Sequence, residues 1–110
     1  MPLSDLERSV LSATRQHLID GWTRVDSCID DKEIAVDHIT SEGPLKFSLL
    51  GALHRAAFRR NAYNEVKHFE RLLRTELPPG FKGLKDFNDY QDVKGPVVDL
   101  ITRVLERKAL

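Results

Sequence analysis

The sequence predicts an all-α domain of about four helices packed on a central apolar helix, with a small irregular or β-ribbon insert. Three observations carry that expectation. The run 45–58 is apolar almost all the way round, and a helix without a polar face has to be enclosed by other elements. The stretches 63–76 and 96–105 each place apolar residues on one face at helical spacing. Strand-like alternation is weak, and only the segment 23–43 leaves room for it. At 110 residues the chain reads as a single domain, 1–110, long enough to form one core without staples.

The first helix spans about 4–20. Ser4 and Glu7 have the Ser-x-x-Glu spacing of a capping box. Leu6, Val10, Ala13 and His17 follow one face, and Leu11 and Leu18 widen it. Gly21 suits a left-handed C-terminal cap, with Trp22 folding back onto His17 or Leu18. Over 23–43, Asp30-Asp31-Lys32 can turn a small hairpin between the stretches around Cys28 and Ile34-Ala35-Val36; an irregular segment crossing the core fits equally well. Gly43-Pro44 punctuates the chain, and Pro44 fits the first turn of a central helix over about 45–60. Gly51 inside that helix costs roughly 1 kcal/mol relative to alanine, which a close helix–helix crossing would explain.

Asn61 marks a break. The third helix, about 63–76, buries Tyr63, Val66, Phe69 (or Glu70) and Leu73, and Pro78-Pro79-Gly80 ends it. The segment 78–95 reads as a loop that packs through Phe81, Leu84, Phe87 and Tyr90. Pro96 opens the last helix, with Val97, Val98, Ile101, Val104 and Leu105 inward.

Composition excludes several function classes. The 17 basic and 17 acidic residues give zero formal charge, unlike the basic excess of a general nucleic-acid binder. The balance hides an asymmetry: 26–42 is acidic, and the chain after residue 54 is rich in arginine. No long uncharged apolar stretch is present, so no membrane span is expected, and the N-terminus lacks a signal-peptide pattern. One cysteine, Cys28, excludes an internal disulfide framework. A cytoplasmic protein is the expectation.

No residue pattern announces chemistry. His17, His38, His54 and His68 fall in no metal-ligand spacing. His54 could act as a general base only with a partner from elsewhere in the fold. Asp86, Asn88, Asp89 and Asp92 fail as a calcium loop, because Gln91 and Val97 stand where glycine and glutamate are needed; turn chemistry is the better reading. Acidic neighbours would raise the Cys28 thiol pKa and quiet it. Arg60, Lys67, Arg71 and Arg74 lie close to one stripe of the third helix, diluted by Glu65, Glu70 and Glu76. The second and third helices lack the glycine turn and polar reading face of a helix-turn-helix. No catalytic residue, cofactor or metal is expected.

Gly21-Trp22 closing the first helix, Leu49-Leu50-Gly51-Ala52-Leu53 followed by Ala56-Ala57, and Phe87-Asn88-Asp89 before a final amphipathic helix form an ordered set. Together they resemble an uncharacterised bacterial family of small helical domains of unknown function, over about residues 6–108. Phe87 stands where that pattern has tryptophan, and Lys94 where it has a capping threonine. The resemblance implies no activity; it directs attention to Trp22, Asn88 and Asp89.

The favoured function is therefore a protein-interaction or regulatory module, acting on a protein partner or as a homodimer. The first alternative is a small-ligand pocket, or an enzyme site, lined by Trp22, His54, Asn88 and Asp89. The second is weak nucleic-acid binding through Arg60, Lys67, Arg71 and Arg74, with steep salt dependence.

Overall fold

A computed structural model describes residues 2–108. Helix α1 (Asp5–Asp20) is followed by a short strand β1 (Cys28–Ile29), its antiparallel partner β2 (Lys46–Phe47) and helix α2 (Leu49–Phe58). A 3-10 turn (Tyr63–Glu65) leads into α3 (Val66–Arg74), and α4 (Leu84–Tyr90) and α5 (Gly95–Lys108) complete the fold. The mostly helical architecture with a small ribbon is the predicted one. Helix α2 packs on α1, α3 and α4, and α5 closes the far side against α1 and α3. Leu49, Gly51, Ala52, Leu53, Arg55, Ala56 and Ala57 of α2 are all buried, so it is central. Each fully buried leucine contributes about 1.5–3 kcal/mol by removal from water. Among the described residues no helix is long and apolar enough to cross a membrane.

The capping box forms as the spacing requires: the Ser4 amide donates to Glu7 Oε1 (2.7 Å) and the Glu7 amide to Ser4 Oγ (3.1 Å). Several other expectations are corrected. Gly21 is extended (φ −172°) rather than left-handed. It is needed for space, since a Cβ there would lie 2.5 Å from the Leu45 carbonyl. Its own carbonyl accepts from the Phe47 amide at 2.9 Å. The central helix starts at Leu49, not near 45, because Ser48 caps it by accepting from the Gly51 amide (3.1 Å) and Phe47 is drawn into the ribbon with Cys28. Gly51 admits the Ser27 backbone, not a second helix.

The hairpin around Asp30–Lys32 is present as a bridge between Ile29 and Ala35, tightened by Asp30 Oδ1 accepting from the Lys32 and Ile34 amides at 2.9 Å each. The segment read as a loop over 78–95 contains α4. Its Leu84, Phe87 and Asn88 are buried, whereas Tyr90 is 72% exposed. Tyr63, placed by spacing in the buried stripe, lies in the 3-10 turn and is 41% exposed. Asn61 breaks the chain in the left-handed region, at φ 56°.

Candidate functional site

The central helix carries only two ionisable side chains, His54 and Arg55, within an otherwise apolar sequence. They lead to different places. Arg55 is 5% exposed, and burial pulls its guanidinium below the ordinary arginine value, helped by neighbouring Arg59; it remains a cation. Its Nη1 donates to the carbonyls of Ser41 (2.9 Å) and, more weakly, His38 (3.4 Å). Its Nε has no partner, and among the described residues it forms no ion pair. The guanidinium carbon lies 5.3 Å from the centre of the Phe47 ring, a cation–π approach.

Around this cation the fold leaves an open pocket of about 520 Å3, within the usual size range for small-molecule sites. The end of α1 contributes His17 and Asp20, the hairpin turn Asp30 and Asp31, and the approach to α2 supplies the segment 43–47. The His17 ring is tilted against Phe47, centroids 5.3 Å apart. Its pKa is lowered, first by burial and then by Arg55, Arg59 and Arg60. At neutral pH it is therefore an uncharged hydrogen-bonding group beside a fixed positive charge. Glu42 offsets the buried charge only in part; a cation held out of water without a paired anion is costly, and a small anion entering the pocket would relieve that cost.

The residues singled out from the sequence are divided. Trp22, Asn88 and Asp89 do converge, but they satisfy one another. Asn88 is 1% exposed. Its Oδ1 accepts from the Trp22 indole (2.8 Å) and from the Leu49 amide (3.1 Å) at the start of α2, and its Nδ2 faces the Thr23 carbonyl (3.3 Å) and Asp89 Oδ1 (3.2 Å). Asp89 accepts from the Val25 amide (2.8 Å) and Lys85 (2.6 Å). These contacts pin the chain after α1 to α4 and cap α2. Trp22 thus reaches across to Asn88 through its indole N–H.

His54 lies apart from them. Its Nε2 is 4.0 Å from Glu70 Oε2, its ring is edge-on to Tyr63 and tilted to His38, with centroids 5.7 Å and 5.5 Å away. His54 Nε2, His38 Nε2 and Glu70 Oε2 are buried without hydrogen-bond partners. The fold thus brings His54 the carboxylate that a general base would need, yet at a separation too long for a hydrogen bond. Glu70 is also approached by Lys67 at 3.8 Å. Among the described residues no group of three or more His, Cys, Asp or Glu side chains is arranged to hold a metal ion.

Two members of the basic stripe have partners within the fold. Arg60 bonds Ser9 Oγ (2.8 Å) and the Ala56 carbonyl (3.2 Å), and Lys67 leans on Glu70. Arg71 and Arg74 are exposed and form no ion pair among the described residues. Cys28 is buried, and burial raises its thiol pKa.

The histidines have a consequence for stability. Burial lowers both His17 and His54 below the ordinary 6.5. The unfolded chain therefore binds protons more readily, and their stabilising contribution is full above pH 6.5 and lost as pH falls from there through the folded values. Glu7, with its carboxylate hydrogen-bonded to the Ser4 amide and His68, and Asp89 are lowered from 4.5 and 3.8. Their contribution disappears only at more acid pH. Urea midpoints should be flat above neutrality, begin to fall below about pH 6.5 and fall again below about 4.5. Histidine-to-glutamine variants at 17 and 54 should each flatten the first step.

Arg55 is the functional candidate that inspection of motifs passes over. Its signal is simple: an arginine set among Ala52, Leu53, Ala56 and Ala57 on a helix that must be enclosed. Comparison with known proteins finds no matching family model, no matching curated protein and no matching solved structure.

Proposed function

We propose that the chain is a binding or regulatory module whose pocket takes a small organic carboxylate at Arg55. One observation carries this reading: a buried guanidinium over the Phe47 ring, with its Nε unpartnered and no ion pair among the described residues, lines an open pocket of about 520 Å3. A planar carboxylate matches the fork of donors on a guanidinium. The neutral His17 adds a ring that can donate to the same group. The ligand pocket of this reading is thus set by Arg55 and His17, in place of Trp22, His54, Asn88 and Asp89.

Calorimetric titration with a panel of small carboxylates tests it. Saturable binding to the wild type is expected, with thermal stabilisation that grows with ligand concentration. Arg55→Lys keeps the charge but loses the fork, and should weaken binding about tenfold while circular dichroism stays native. Failure of every carboxylate to bind, or equal binding by a folded Arg55→Lys protein, contradicts the reading.

Contact with a protein partner or a second copy is the alternative, supported by one feature. Phe58 and Tyr63 are 49% and 41% exposed and meet edge-on, centroids 6.2 Å apart, beside the Arg59–Glu42 pair. Exposed neighbouring aromatics of this kind are common anchors at interfaces. Sedimentation equilibrium distinguishes a monomer from a concentration-dependent dimer.

A further inference from the structure

We infer that the ligand of the Arg55 pocket is zwitterionic, an amino-acid-like molecule bearing an ammonium group close to its carboxylate. The inference rests on the proposal that this pocket takes a carboxylate, and it adds the second charge. The pocket is bipolar by construction. Its buried members are Arg55 and Phe47, which form the floor, whereas Asp20 and Asp31 are exposed and Asp30 is half-buried at the mouth.

The three aspartates come from two separate elements, the last residue of α1 and the hairpin turn. Among the described residues none of them forms an ion pair. Asp30 uses Oδ1 to hold the turn, and Asp20 Oδ1 accepts from Gln16 at 2.9 Å. The exposed Lys46 also stands at the rim, so the mouth carries three carboxylates against one ammonium.

A dianionic ligand satisfies Arg55 but meets the aspartates, and a simple amine satisfies the aspartates but meets Arg55. A zwitterion pairs both ends, and charge complementarity of this kind sets specificity by penalising the wrong partners. Leu45, Pro44 and the Phe47 ring supply apolar surface for a short side chain.

The test compares free amino acids with their N-acetyl derivatives, which keep only the carboxylate, and their amides, which keep only the ammonium. By calorimetry on the full chain, a free amino acid should bind about tenfold or more tightly than either blocked form. The double variant Asp20→Asn, Asp31→Asn changes two exposed side chains and leaves Asp30 to hold the turn. It should reduce the free amino acid to the affinity of its N-acetyl form without weakening that form. An N-acetyl derivative or an amide that binds wild type as tightly as the parent overturns the zwitterion. The N-acetyl result would leave the carboxylate proposal standing. If no probe bearing a carboxylate binds, both the inference and the proposal fail.

Discussion

Gly51→Ala destabilises the protein by about 2–3 kcal/mol, although the same exchange in an exposed helix interior stabilises by roughly 1 kcal/mol. The reversal comes from the Ser27 backbone. A Cβ at residue 51 would overlap the Ser27 carbonyl oxygen and sit 2.8 Å from its carbon. That carbonyl cannot retreat freely, because it accepts from the Ser48 amide at 3.1 Å and leads directly into the Cys28–Phe47 pair of the ribbon. Relief requires the ribbon to lift from α2, which disturbs the floor of the pocket as well. Gly95→Ala is the control, since nothing lies within 4 Å of a Cβ there. Urea unfolding of the two variants should move in opposite directions or leave Gly95→Ala unchanged. A Gly51→Ala protein as stable as wild type would mean that the close approach of the Ser27 segment to α2 is wrong.

Asn88→Ala is expected to cost about 3 kcal/mol. The loss strands two donors, the Trp22 indole and the Leu49 amide, which both depend on Asn88 Oδ1. The Leu49 amide is among the first amides of α2, which have no partner within the helix. A double-mutant cycle with Trp22→Phe isolates the shared bond: the second change should cost clearly less in the Asn88→Ala background than in wild type. Additive losses would show that the indole and the amide side chain stabilise the fold independently. Chemical denaturation followed by far-ultraviolet circular dichroism reads all four proteins without relying on the tryptophan that is being changed.

Local signals were legible in the sequence, and long-range ones were not. Ser4 and Glu7 announce the start of α1 because their bonds span three residues. The enclosed position of α2 follows from its lack of a polar face. Its start was obscured because the capping Ser48 sits inside an apolar run whose preceding Phe47 is claimed by a strand partner at Cys28. Helix α4 was hidden by flanking Pro, Gly and Asp residues that carry turn character. Spacing cannot reveal the role of Asn88, whose partners lie 66 and 39 residues away. The same holds for the pocket, since His17, Asp31 and Arg55 meet only once the ribbon folds against α1 and α2. Arg55 was visible as a charge on a buried helix, yet that it forms no ion pair among the described residues is a property of the fold.

On the proposed function, a carboxylate binds at Arg55 and not at the Trp22–Asn88 brace. The most direct measurement is a titration with the tightest carboxylate probe, followed by nitrogen-detected magnetic resonance of the arginine Nε–H and tryptophan indole groups. The Arg55 signal, assigned by its absence in Arg55→Lys, should shift saturably together with the His17 ring, while the Trp22 indole stays in place. A saturable shift at Trp22 with none at Arg55 would contradict the claim and return the site to the residues that the sequence motifs first suggested.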